Sequence, residues 1–173
     1  MGGQILGLLA VSHPDDVGSI ALMSSAGVAF KENAFGREVL AGKNPFQATT
    51  RADVHRYLDI VFTDPPFVPW PVDAALAQRR AKDAAFEQTV LDRIGRGSEA
   101  LRLQSELGAI KSPVLLLWCR DDRVIDVSAA KIFADGLHNS QTVILEGCGH
   151  MPLMAAPGAV AQALVPAELA LPP

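Results

Sequence analysis

The sequence has few of the features that would assign it to a specialised class of protein. Two of its 173 residues are cysteine, too few for a disulfide framework. Aromatic residues make up 6%, and the net charge of −4 gives none of the basic excess typical of nucleic-acid-binding proteins. No apolar run reaches the roughly 18 residues of a membrane-spanning helix. We therefore expect no nucleic-acid partner and no transmembrane segment.

Metal-binding and redox motifs are also lacking. No histidine, cysteine or acidic residues recur with the spacing of metal ligands, so we expect no metal and no cofactor. Cys119 and Cys148 each follow a predicted strand and could lie near one another, but we expect free thiols. The compartment is not indicated, and we take the cytoplasm as the working expectation.

The composition is that of a packed domain. Hydrophobic residues make up 49% and charged residues 20% of a chain long enough for one domain. Short apolar runs alternate with helical patterns, which predicts an α/β fold with a parallel sheet covered by helices on both faces. The predicted strands are Ile20–Met23, Pro113–Trp118 and Thr142–Leu145. The predicted helices around them are 4–13, Val127–Leu137 and Pro157–Leu169, the last interrupted at Pro166.

Residues 31–106 have a different character and are predicted to form an all-helical insert. Thr50 and Asp53 resemble a capping box at the start of an amphipathic helix. Four prolines follow between residues 65 and 71, and Pro71 is placed to open another helix that ends near Gly95. We therefore divide the chain into a core, residues 1–30 and 107–173, and a helical insert, residues 31–106.

Two polar side chains stand just beyond predicted neighbouring strands. His150 follows the last strand in a Gly-x-Gly-His turn, and Asp122 follows the preceding strand 28 residues earlier. The carboxyl ends of parallel strands meet at one edge of a sheet, where α/β proteins place their ligands. A carboxylate there could orient an imidazole that acts as a base. Asp121 and Asp126 compete with Asp122 for this role, and an ordinary loop histidine is the alternative for His150.

The same stretches carry a family resemblance. The chain resembles the C-terminal part of an α/β-hydrolase-fold enzyme, in which a nucleophile, an acid and a base follow one another along the chain. The resemblance makes Asp122 the acid, His150 the base, and the backbone amide of Met1 a part of the oxyanion hole. The matching stretches are Met1–Gln4, Ala21–Gly27, Leu116–Val124 and Gly147–Pro152.

Within that family the sequence is most similar to lipases and monoacylglycerol lipases. This likeness implies an ester or lipid substrate and leaves contact with a membrane surface open. Phe67 and Trp70 are candidates to line an acyl pocket, and plain packing of the insert on the core is the alternative for each of them. Two residues depart from the pattern: Cys119 stands where glycine is usual, and Ala155 where an acid is common after the histidine.

The nucleophile is expected one place before Met1, at the centre of a Gly-x-Ser-Met-Gly turn. We therefore expect the 173-residue chain to be a fragment with acid and base but no nucleophile, inactive by itself. Two alternatives stay open. One is another reaction on the same fold, such as that of a C–C hydrolase, an epoxide hydrolase or a dehalogenase. The other is a non-catalytic remnant. The oligomeric state is not indicated.

Overall fold

The computed structural model describes residues 1–165 and contains a three-stranded parallel sheet in the order β1-β2-β3. All three predicted strands are confirmed, although β2 begins one residue later and ends one residue later than predicted, and β3 begins two residues earlier. The strands are β1 (Ile20–Met23), β2 (Val114–Cys119) and β3 (Ser140–Leu145). The described residues therefore form part of an α/β fold, with fewer strands than an open doubly wound sheet usually has.

Helices surround this sheet and also fill the long connection between β1 and β2. The α-helices are α1 (Gly2–Ser12), α2 (Ala34–Leu40), α3 (Arg51–Val61), α4 (Val72–Gly95), α5 (Arg102–Glu106), α6 (Ser128–Gly136), α7 (Pro152–Ala155) and α8 (Pro157–Leu164). Single 3₁₀ turns occur at Pro14–Asp16 and Leu107–Ala109. The predicted continuation of the last helix to Leu169 lies outside the described residues.

The central strand β2 is buried on both faces. All six of its side chains are inaccessible to solvent, which requires cover from helices on each side of the sheet. On one face, the Trp118 ring packs against Phe133 of α6, with 5.8 Å between ring centroids. The Trp118 Nε1–H also donates to the Ile125 carbonyl at 3.0 Å. This bond connects the end of β2 to the loop that carries Asp122.

The strand register brings three loops to one edge of the sheet. Met23 pairs with Leu117, and Cys119 pairs with Leu145, so the strands end within about two residues of one another. The segments that follow β1, β2 and β3 therefore all start at the carboxyl edge of the sheet.

The connection between Met23 and Val114 contains helices and loops but no strand, as predicted. The capping box is present: the Thr50 side chain accepts from the Asp53 amide at 3.1 Å, and the Asp53 carboxylate accepts from the Thr50 amide at 2.9 Å. The following helix α3 packs against α4. Helix α4 starts directly after Pro71 and continues to Gly95.

The prediction of free thiols is wrong. Cys119 and Cys148 form a disulfide, with 5.2 Å between their Cα atoms. Cys119 is the last residue of β2, and Cys148 lies three residues beyond the end of the adjacent strand β3. Pairing of the two strands therefore brings the sulfurs together.

None of the helices described between residues 1 and 165 is both long enough and apolar enough to cross a bilayer.

Candidate active site

Asp122 and His150 meet at the carboxyl edge of the sheet, as predicted. The His150 Nδ1 atom lies 3.0 Å from Oδ2 and 3.2 Å from Oδ1 of Asp122. Asp122 is buried, and the His150 side chain is 20% exposed. With its proton on Nδ1, the ring donates to the carboxylate and leaves Nε2 free to accept a proton.

The loop that follows β2 holds Asp122 in place. Its Oδ1 accepts hydrogen bonds from the backbone amides of Val124 at 2.8 Å and Ile125 at 3.0 Å. These bonds compensate for removing a carboxylate from water and fix the direction of its second oxygen. The acid is therefore oriented before His150 contributes anything.

The two competing carboxylates are not part of this pair. Asp121 is exposed. Asp126 accepts from the Ser128 amide at 3.0 Å, at the start of α6, where an acidic side chain is favoured. Of the three aspartates after β2, the structure brings Asp122 to His150.

Glycines shape the turn that presents His150. Gly147 has a φ of +70°, in the left-handed region that favours glycine. A Cβ on Gly149 would lie 2.8 Å from the Val61 carbonyl oxygen and 3.2 Å from the Thr63 amide nitrogen. The turn therefore packs directly against the backbone at the end of α3, and a side chain at residue 149 has no room.

A large apolar cavity opens beside His150. Its volume is about 920 Å³, and Met1, Ser24 and His150 are among the residues that line it. Most of the remaining wall comes from apolar side chains of residues 28–46 and of the second half of α4. These include Phe30, Phe35, Val39, Phe46, Phe86 and Leu91. Such a space suits a hydrocarbon chain better than a charged metabolite.

Met1, for which the resemblance predicts a part in an oxyanion hole, is among the residues that line this cavity. Its carbonyl accepts from the Gln4 amide at 3.0 Å and thereby starts α1. Burial lowers the pKa of the Met1 α-amino group below its ordinary value.

Phe67 and Trp70 do not line the cavity. Their relative exposures are 88% and 70%, so they neither form an acyl pocket nor pack beneath the insert. Both lie in the proline-rich segment before α4, whose backbone runs over the surface. The aromatic residues that do reach the cavity were not predicted, because they come from two separate segments, residues 28–46 and α4, that only the tertiary fold brings together.

Ser24 is a further cavity residue, to which the sequence assigned no functional role. It directly follows β1, has a φ of +46° and is 5% exposed. Within the described residues its hydroxyl oxygen has no hydrogen-bond partner. A non-glycine residue with positive φ at a strand end is uncommon and marks a constrained turn. No cluster of three or more potential metal ligands occurs in the part of the chain described.

The fold and this pair define the class of the protein. The model of the alpha/beta hydrolase family matches residues 1–163, and the chain belongs to that family. It is similar to monoacylglycerol lipase ABHD6 of Bos taurus, with 29% identity over 173 residues, 95% of this chain and 51% of that protein. It is also similar to Lipase 1 of Psychrobacter immobilis, with 27% identity over 159 residues, 90% of this chain and 49% of that protein.

A solved structure supports the same relationship. A bacterial membrane phospholipase A, described as a virulence factor, is 33% identical with a TM-score of 0.83. The match covers 94% of this chain and 52% of that one. The chain therefore spans about half the length of the relatives that it matches.

Proposed function

We propose that residues 1–173 supply the acid and the base of a serine ester hydrolase that acts on carboxylic esters or monoacylglycerols. The observation that carries the proposal is the contact of the His150 Nδ1 with the Asp122 carboxylate at 3.0 Å beside an apolar cavity. The similarity to lipases gives the substrate class its support.

In this proposal His150 transfers protons and Asp122 orients it. The Asp122 carboxylate accepts from Nδ1–H, holds the ring in the tautomer with a free Nε2, and stabilises the imidazolium when it forms. Nε2 removes the proton of a serine hydroxyl as the oxygen attacks the ester carbonyl. The imidazolium then protonates the departing alcohol. In the second half-reaction His150 activates water, which releases the acyl group.

We propose that the nucleophile is a serine that directly precedes Met1 in a longer protein. The support is that Met1 and His150 contribute to the same cavity, and that the chain spans about half of its relatives. In that protein, the Met1 nitrogen would be a peptide amide and could donate to the oxyanion. The 173-residue chain is then a fragment that retains the acid and the base.

The apolar cavity is proposed as the acyl site, with the helical insert, residues 31–106, acting as a cap over the core. Phe35 and Val39 of α2 and Phe86 and Leu91 of α4 belong to this insert and line the cavity. A cap that supplies most of the wall would select substrates by the length and shape of the acyl chain.

Phe67 and Trp70 take a different role in this proposal from the one expected of them. As exposed aromatic side chains on the outside of the insert, they are suited to contact with a lipid aggregate or a membrane surface.

The test is an extended protein that includes the codons upstream of Met1. We expect it to hydrolyse monoacylglycerols and p-nitrophenyl esters. Changing the preceding serine to alanine, or His150→Ala, should abolish turnover, and Asp122→Asn should lower kcat by about 10³–10⁴-fold. His138→Ala, on an exposed loop, is the matched control. A residue other than serine before Met1, or full activity without His150, would contradict the proposal.

A further inference from the structure

We infer that the Cys119–Cys148 disulfide is a positioning element that holds His150 against Asp122. The inference rests on the proposed roles of Asp122 and His150 but adds a device that the acid–base pair does not itself contain. Its test reads the state of the His150 ring and needs no catalytic activity.

The disulfide joins the two loops that carry the pair. Cys119 is three residues before Asp122, and Cys148 is two residues before His150. Both cysteines are buried, with relative exposures of 0% and 1%. The covalent bond therefore joins the two loops within three residues of Asp122 and two residues of His150. A shift of either loop would change the distance between the Asp122 carboxylate and the His150 ring.

The two loops differ in how much they depend on that bond. Asp122 is held by the backbone amides of Val124 and Ile125. In contrast, no backbone amide or carbonyl of residues 147–150 is hydrogen-bonded to any other residue in the described range. The histidine loop thus lacks the backbone hydrogen bonds that the aspartate loop has. It is held by the packing of Gly149 against the end of α3 and by the disulfide, and only the disulfide connects it to the aspartate loop covalently.

Other links between the loops are weaker or lie further from His150. The sheet ladder ends with the Arg120 amide donating to the Leu145 carbonyl at 2.8 Å, before the histidine loop begins. Arg120 also forms an ion pair with Glu146 at 2.8 Å, but the two side chains are 54% and 69% exposed. An exposed pair of this kind contributes little to loop position. This pair connects the same loops and provides a matched control.

Reduction should therefore release His150 while leaving Asp122 in place. In the reaction with dithiothreitol, a dithiothreitol thiolate attacks one sulfur and displaces the other cysteine as a thiolate. The second dithiothreitol thiol then releases the remaining cysteine and closes to a cyclic disulfide. Dithiothreitol is oxidised by two electrons, and two protons end on Cys119 and Cys148. Both sulfur atoms remain present, so only the bond between them is lost.

The experiment is ¹⁵N nuclear magnetic resonance of the histidine rings in the 173-residue chain, oxidised and reduced. Ile5→Lys and Leu9→Lys are present throughout, because these two exposed apolar residues of α1 would otherwise promote association. The pH is set high enough that raising it further leaves the ring spectrum unchanged. The oxidised chain should show the Nδ1–H tautomer of His150, with a slowly exchanging ring proton. After reduction, that tautomer should lose its predominance, and exchange of the Nδ1 proton should accelerate by about tenfold or more. The Val124 and Ile125 amide signals should keep their positions. The Cys119→Ala/Cys148→Ala variant should behave like the reduced chain, and Glu146→Gln like the oxidised one.

An unchanged His150 tautomer and exchange rate in the reduced, folded chain would overturn the inference. Global unfolding on reduction would overturn the inference as well, because the disulfide would then stabilise the whole fold rather than one loop. Such unfolding would be seen as exposure of the buried Trp118 ring to solvent and as loss of the far-ultraviolet circular dichroism signal. Absence of ester hydrolysis by the extended protein would instead count against the proposed function. The two failures are therefore distinguishable.

Discussion

At the scale of residues, the proposed chemistry requires that the His150 ring be held in one orientation and one tautomer. In the proposed mechanism, His150 acts as a base only with its proton on Nδ1. The Asp122 carboxylate, which two backbone amides hold in place, favours that tautomer. The glycines before His150 give the turn the space to place the ring there. The proposed roles of Asp122 and His150 thus depend on the backbone amides that hold the carboxylate and on the glycines that leave room for the histidine turn.

Gly149 gives a direct test of that steric requirement. Gly149→Ala would put a methyl group 2.8 Å from the Val61 carbonyl oxygen, and backbone atoms cannot move aside as a flexible side chain can. We expect a loss of unfolding free energy of about 1–3 kcal/mol, measured by urea denaturation.

Gly158→Ala in α8 is the control for Gly149→Ala. Nothing lies within 4 Å of a Cβ at that position, so alanine should stabilise the helix by about 0.5–1 kcal/mol. Equal effects of the two substitutions on unfolding would show that the turn is not tightly packed against α3.

At the scale of elements, segments with a clear local signal were predictable, and the short helices were not. The buried run Ile20–Met23, the amphipathic pattern of α3 and its capping box each carry a local signal, and all were confirmed. The short helices α2 and α7 were missed because four to seven residues are too few for an apolar period to show.

At the site, likewise, contacts that follow from the order of neighbouring strands could be predicted, and contacts that depend on the tertiary structure could not. The Asp122–His150 contact could be predicted, because the residues after neighbouring parallel strands share an edge. The Cys119–Cys148 bond was judged wrongly because two cysteines in a sequence carry no pairing information by themselves. The cavity wall was missed because Phe35, Phe46 and Phe86 come together only in the tertiary structure.

One buried carboxylate, that of Asp73 in α4, connects α4 to α3 by hydrogen bonds. Asp73 accepts from Arg51 Nε at 2.8 Å and from the Ala74 amide at 2.7 Å, and its other close partner is His55 Nε2 at 3.2 Å. Burial raises the pKa of Asp73, but these hydrogen bonds outweigh burial, and its pKa is below the ordinary value. A carboxyl whose pKa is lower in the folded state stabilises that state above its unfolded pKa of about 3.9.

We therefore expect the unfolding free energy to fall as the pH decreases from about 5 through the lowered pKa of Asp73, where the carboxylate becomes protonated. Chemical denaturation across this range measures the slope. Asp73→Asn should lower stability at neutral pH and flatten the acid slope, whereas Asp135→Asn on the exposed face of α6 should do neither. An unchanged slope in Asp73→Asn would show that this carboxylate does not link the helices.

At the scale of the whole molecule, the described chain leaves apolar surface and a sheet edge uncovered. Strand β1 pairs only with β2 among the described residues, and its other edge is unpaired. On α1, Ile5 and Leu9 lie one turn apart and are 63% and 44% exposed. Unpaired edges and contiguous apolar faces promote association.

We therefore expect the 173-residue chain to self-associate at micromolar concentration, as measured by light scattering. Ile5→Lys/Leu9→Lys should reduce the association by placing charge on the apolar face of α1. Leu153→Lys, which changes an equally exposed residue on α7, should have less effect. A monodisperse monomer at all concentrations would contradict the expectation that this face needs a partner.

The central claim is that His150 and Asp122 form the acid–base half of an ester hydrolase whose nucleophile lies outside residues 1–173. The most direct measurement compares hydrolysis of short p-nitrophenyl esters by the 173-residue chain and by its His150→Ala variant, with His138→Ala as the control. We expect equal, background rates for all three, because a general base accelerates acyl transfer only when it has a nucleophile to activate. Turnover well above background that is lost in His150→Ala but kept in His138→Ala would contradict this account.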